Sequence, residues 1–174
     1  MQDGLTHIQA VYFRCTSRKR EPLSTGGALY NCGRYNVIGC AALYLSSSPT
    51  LAVNEHLHLA QLFEAKSFPP RLLVSIEVDL ALVLDLTDGE TLDRFGVSRD
   101  DLLVPYSKDP EVPSITQTIA IEARKKGIEA ILAPSALVPT ESNLVVFRDN
   151  VASPTAVRVV GFDDHFDGDP VAGD

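Results

Sequence analysis

The chain has 174 residues, a length that suits one domain, and its 45% hydrophobic and 22% charged content is that of an ordinary globular protein. Its formal net charge of −8 argues against a broad nucleic-acid or anionic-membrane surface. The charge is uneven: the first 40 residues hold Arg14, Arg18, Lys19, Arg20 and Arg34 against Asp3 and Glu21, a local +3, and the remainder carries −11.

Residues Ile8–Cys15 read as a first strand, with Val11 and Phe13 on one face and Tyr12 on the other. Thr16–Gly39 is rich in Gly, Ser, Asn and Pro and reads as a long loop, a length that usually marks function. Ala42–Leu45 is a short apolar strand. Ser48-Pro49 opens a helix, capped by Ser47 or Ser48, that runs to about Lys66 before Pro69-Pro70 stop it; Leu51, Ala52, Leu59, Leu62 and Phe63 form its apolar stripe. Arg71–Asp79 and Leu82–Leu86 read as two strands, and Asp88–Phe95 and Ser98–Leu103 as short capped helices. Ser114–Lys126 is a helix with basic residues in its last turn and Gly127 as its stop. Glu129–Ala133 and Asn143–Phe147 read as buried strands and Thr155–Phe162 as a last one. Strands, then a cluster of helices, then strands describe an α+β fold rather than an alternating parallel sheet. Residues 1–9 read as an N-terminal extension, 10–162 as the domain, and 163–174 as a frayed acidic tail.

Cys15, Cys32 and Cys40 are an odd set without C-x-x-C spacing, neither a disulfide framework nor a zinc site, so reduced cytoplasmic thiols are expected. The opening MQDGLTHIQA has an acid and no apolar core, so no signal peptide is expected. The longest apolar run, about five residues, is far short of a membrane span.

The common phosphate-binding motifs are missing: there is no G-x-x-x-x-G-K-[ST], and the glycines at 26, 27, 33 and 39 do not make G-x-G-x-x-G. His56 and His58 stand two apart on one helix and face different sides, and H-E-x-x-H is absent, so no metal is expected. The long loop is more informative. It begins at Arg14 and closes with Gly33-Arg34-Tyr35-Asn36, followed by a strand ending Tyr44-Leu45-Ser46 and a helix carrying Glu55 among apolar neighbours. Far downstream a strand ends in Ala133-Pro134-Ser135-Ala136. Two arginines, an aromatic ring, a carboxylate and a serine at strand and helix ends suit an anion-binding cleft, since guanidinium forks match phosphate oxygens. Each piece also has a plain reading: Arg34 and Glu55 as surface ion pairs, Tyr44 as core, Ser135 as a turn residue.

Taken together, Pro22-Leu23-Ser24-x-x-Gly27-Ala28, Gly33-Arg34-Tyr35-Asn36-x-x-Gly39, Tyr44-x-Ser46 and Glu55 resemble the RES-domain family, named for a characteristic Arg, Glu and Ser. The family pattern is near L-S-G-E-G-A, G-G-R-W-N-x-x-G and L-Y-x-S, then an acid on the next helix and much later P-S-A. Arg34, Glu55 and Ser135 would be the naming trio, and Arg14 matches a second family arginine after the first strand. The resemblance spans about residues 10 to 148. Cys32 stands where the family has the first Gly of a pair, and Tyr35 where it has Trp.

The resemblance implies a toxin of a bacterial toxin–antitoxin pair, built on a split mixed or antiparallel sheet with surrounding helices, like the ADP-ribosyltransferases. It implies NAD⁺ as substrate, cleaved between nicotinamide and ribose, with water or phosphate as acceptor; phosphate would then be a co-substrate. The partner implied is an Xre-type helix-turn-helix antitoxin, through which alone DNA would be contacted. On this reading Glu55 holds a ribose hydroxyl and stabilises the cationic ribose, Arg14 and Arg34 clamp phosphate or ribose, Tyr44 stacks on the nicotinamide or shapes its pocket, and Ser135 orients Glu55 or a ribose hydroxyl. Asn36 and Ser46 complete the binding set. The alternatives are a mono-ADP-ribosyltransferase acting on a protein and an inactive binding module.

Overall fold

The computed structural model describes residues 4–62 and 71–166. Two long strands, β1 (Leu5–Ser17) and β3 (Arg71–Asp85), pair antiparallel from Leu5↔Leu84 to Ser17↔Arg71. β1 thus begins three residues before the expected start, within what reads as an N-terminal extension. β3 is one strand where the sequence suggests two. Val74, Ile76, Val78 and Leu80 alternate inward; the alternation then breaks at Ala81-Leu82, which are both exposed, before Val83 and Leu84 are buried again. Buried Glu129 bridges that break, its Oε2 accepting from the Ala81 N–H at 2.7 Å and the Leu82 N–H at 2.9 Å. A side-chain carboxylate from elsewhere in the chain takes the place of ladder carbonyls, so pairing resumes where local pattern reads a strand end.

The remaining strands are β2 (Ala42–Ser46), β4 (Ala130–Pro134), β5 (Ser142–Phe147) and β6 (Val157–Phe166). The order β1-β2-β5-β4-β3, together with the β1–β3 pairing, closes five strands into a ring, and β6 adds to β3 outside it. This corrects the expected split sheet. The sheet is mixed, with β3–β4 parallel and the other pairings antiparallel. Closure depends on the length of β3: β1 occupies one edge, and the other serves β6 through Arg71–Val78 and β4 through Val83–Asp85. The ring is weakest between β1 and β2, joined by the single register pair Phe13↔Ser46.

Helices follow their caps. The long loop holds a short α1 (Gly26–Tyr30), which the sequence reading lacks. In α2 (Pro49–Leu62) the Ser48 hydroxyl accepts the Leu51 N–H at 3.0 Å; its expected continuation to Lys66, with Phe63 and Pro69-Pro70, lies outside the described residues. Asp88 caps α3 (Gly89–Phe95), and reciprocal boxes open α4 (Arg99–Leu103) through Ser98 and Asp101 and α5 (Ile115–Lys125) through Ser114 and Gln117. Gly127 ends α5 in the left-handed region, φ 76°. A 3-10 turn, Pro154–Ala156, precedes β6, which continues to Phe166; residues 163–166 are strand rather than tail, and 167–174 lie outside the described residues.

Alternation along the central strands feeds two cores. Inside the ring, Leu43, Leu45, Leu144 and Val146 meet Tyr12, Ile76 and Leu80. Outside it, Ala42, Ile131, Val145 and Phe147 pack under Leu92, Leu102 and Ile119 of α3, α4 and α5. Among the described residues no helix is long and apolar enough to cross a membrane.

Candidate active site

α2 leaves the end of β2 and carries half-buried Glu55 to the place where β4 ends and β5 begins. There the Ser135 hydroxyl donates to Glu55 Oε1 at 2.8 Å, and Asn143 Nδ2 donates to the same oxygen at 2.6 Å. Ser135 is fully buried and fixed from behind: its Oγ accepts the Leu137 and Val138 N–H groups at 3.1 and 3.2 Å. That leaves its proton for Glu55. Glu55 Oε2 has no hydrogen-bond partner among the described residues, and Asn143 Oδ1 is buried without one. The group is therefore an oriented carboxylate with one oxygen held by protein, one open, and an unfilled acceptor beside it. Two of the three expected catalytic residues, Glu55 and Ser135, meet; Asn143 joins them.

Ser46 is buried at the end of β2, where it pairs with Phe13 and with Asn143. Tyr44, two residues earlier, serves the Gly33–Asn36 loop. Its hydroxyl accepts the Tyr35 N–H at 2.9 Å and donates to Asn36 Oδ1 at 2.8 Å; burial, the largest influence, raises its pKa. Asn36 Nδ2 in turn donates to the carbonyls of Ala28 and Asn31 at 2.9 and 2.8 Å, so its amide is engaged by the loop itself. A Cβ on Gly33 would fall 2.8 Å from the Tyr44 oxygen and closer still to Asn36 Oδ1, which explains glycine there.

Arg34 has no hydrogen bond or ion pair to Glu55 among the described residues. Its Nη1 donates to the carbonyls of Leu102, at 3.0 Å, and Val104, where α4 ends, and its guanidinium lies 6.0 Å from the Tyr106 ring centroid. A cation there suits the exposed carbonyl end of a helix. Arg14 lies one residue past the Phe13↔Ser46 pair, with its Nη1 donating to the Pro22 carbonyl at 2.6 Å. Burial, and then the charge of Arg20, push it down to about 10. A cavity of about 210 Å³ lies on another side, between the 35–40 loop and α5, lined by Tyr35, Val37, Cys40, Ala120 and Arg124; Glu55 is not part of its wall.

With this geometry in view, the RES domain matches residues 11–169. The chain belongs to the RES-domain family. Its fold is similar to a chain in the crystal structure of the M. tuberculosis MbcT-MbcA toxin-antitoxin complex, with a TM-score of 0.74 and 26% identity over 92% of this chain and 86% of that one. No curated protein matches it.

Two residues of this RES domain escape a sequence reading. Asn143 looks like the polar flank of an apolar strand, yet it shares the outer face with Val145 and Phe147, where a polar side chain needs a partner. Gln117 is legible only as the N3 residue of a capping box. Fully buried, it also sends Nε2 to the Gly33 carbonyl at 3.0 Å and the Ser107 carbonyl at 2.8 Å, bolting α5 to the Arg34 loop.

Proposed function

We propose that this RES-domain chain is an NAD⁺-consuming toxin that cleaves the nicotinamide–ribose bond and is neutralised by a cognate Xre-type helix-turn-helix antitoxin. The observation that carries the reading is the Glu55 carboxylate held through Oε1 by Ser135 and Asn143, with Oε2 open. The family membership and the likeness to a chain of a toxin–antitoxin complex support it.

In the proposed step the bond from ribose C1 to the nicotinamide nitrogen breaks, and its electron pair leaves with neutral nicotinamide. Positive charge develops on the ribose. Glu55 Oε2 accepts a ribose hydroxyl and faces that charge; a fixed group of this kind contributes on the order of 3 kcal/mol to the transition state. Water or phosphate then adds to C1, water releasing a proton. Ser135 and Asn143 act as positioning residues, holding Glu55 so that little reorganisation is needed. Arg14, with one backbone partner, is the proposed pyrophosphate contact. Arg34, through Leu102 and Val104, fixes the loop and the end of α4 as a wall of the cleft.

The test is incubation of the purified chain with NAD⁺, with and without inorganic phosphate, followed by measurement of free nicotinamide. Release, together with growth arrest on expression that a co-expressed antitoxin relieves, is the expected result. No release under either condition rejects the reading.

A further inference from the structure

We propose that Arg99 is a positioning residue for Glu55, acting through the turn that aims the Ser135 hydroxyl. α4 is firmly placed: a capping box joins Ser98 to Asp101, Leu102 is fully buried, and the helix packs on β4 and α5. From its first residue, Arg99 Nη2 donates to the carbonyl of Pro139. At its other end the Leu102 and Val104 carbonyls accept from Arg34. A helix of five residues thus stands as a strut between the loop that carries Arg34 and the turn that follows Ser135.

The turn depends on such support. Ala136, Leu137, Pro139 and Thr140 are exposed, so little apolar burial holds them, and their restraints are hydrogen bonds. The Ser135 N–H donates to the Glu141 carbonyl and the Glu141 N–H to the Val138 carbonyl, each at 2.9 Å. The Ser47 hydroxyl donates to the Glu141 carboxylate at 3.2 Å. These contacts fix the base of the turn, and Arg99 fixes its tip. The tip carries the Leu137 and Val138 N–H groups, which occupy the Ser135 oxygen and leave its proton for Glu55. Where the tip moves, those N–H groups leave, the hydroxyl rotates, and Glu55 loses an oriented donor. The consequence for the reaction rests on the reading of Glu55 above; the brace does not.

The experiment compares the full wild-type chain with Arg99→Met, which removes the donor, and Arg99→Lys, which retains one. Arg99 is exposed, so its substitution leaves the core intact. Amide hydrogen exchange reads the turn, and nicotinamide release reads the reaction. Arg99→Met is expected to speed exchange at Leu137 and Val138 about threefold to tenfold while the β5 amides keep their protection. Its kcat is expected to fall about threefold or more with KM for NAD⁺ unchanged, and Arg99→Lys to restore most of both losses. In a Ser135→Ala background Arg99→Met is expected to add no further loss, because the hydroxyl that the turn aims is gone. Unchanged exchange at Leu137 and Val138 overturns the brace. Faster exchange with wild-type kcat, or an equal loss of kcat with and without Ser135, overturns the positioning role. Absence of nicotinamide release from wild type rejects the NAD⁺ reading and the effect on kcat with it, whereas exchange still decides the brace.

Discussion

The Ser135 hydroxyl and the Glu55 carboxylate are separated by 80 residues of chain and 2.8 Å of space. The contact exists because β4 lies beside β5 and β5 beside β2, from which α2 departs. A local turn around Ser135 then directs its proton, since two backbone N–H groups already occupy the oxygen.

Ser135→Ala removes both roles at once. Leu137 and Val138 lose their acceptor, which costs about 1–3 kcal/mol of stability. Glu55 retains only Asn143, and the resulting misplacement lowers nicotinamide release by up to about 10²-fold. Chemical denaturation and the release assay measure the two effects. A variant as stable and as active as wild type would show that the contact is incidental.

Glu55→Gln retains size and the oxygen that accepts from Ser135 and Asn143, but not the charge. NAD⁺ loss is expected to fall about 10²-fold or more with the fold unchanged. Circular dichroism and nicotinamide release check this together; wild-type turnover in the variant sinks the assignment of Glu55.

Tyr44→Phe tests the loop rather than the chemistry. Without the hydroxyl, the Tyr35 N–H and Asn36 Oδ1 lose their shared partner, and we expect about 1–3 kcal/mol of destabilisation. Asn36→Ala should act in the same direction, because it also frees the Ala28 and Asn31 carbonyls. If Tyr44 were chiefly a stacking surface, Phe would leave stability unchanged, as urea titration would report.

Features governed by near neighbours were legible in the sequence. The caps of α3, α4 and α5 lie at the serines and aspartate that patterning picks out, and β2 ends one residue beyond the expected limit. Features governed by distant partners were not. Continuity of β3 past Ala81 depends on Glu129, and ring closure on one strand serving three neighbours. At the site, the resemblance singled out Glu55 and Ser135, which do meet. It also grouped Arg34 with them, whereas Arg34 is drawn to the carbonyl end of α4, a geometry that residue types in a motif do not encode. Asn143 carried no local signal, because only the sheet register puts it opposite Ser46 and within reach of Glu55.

Asn143→Asp puts a second carboxylate 2.6 Å from Glu55 Oε1. Two carboxylates this close cannot both ionise easily, so the pair retains a proton to higher pH than either acid alone. A mechanism that needs ionised Glu55 then loses activity near neutrality and recovers it as pH rises. The expected result is an acid limb of the pH–rate profile displaced upward relative to wild type. An undisplaced profile would show that Glu55 does not act as the anion.

His56 predicts an acid-sensitive stability. Burial, and then Arg71, lower its pKa from 6.5 to about 4, so the folded chain holds it neutral while the unfolded chain protonates it near the ordinary value. Between those limits the unfolded state binds more protons, and stability rises with pH. The contribution is fully present above about 6.5 and is lost as pH falls toward 4. His56→Gln does not titrate, so its unfolding temperature in phosphate-free buffer should fall less steeply than that of wild type across this window. Parallel curves for the two proteins would mean that His56 is solvated in the folded state, contrary to its buried Nε2.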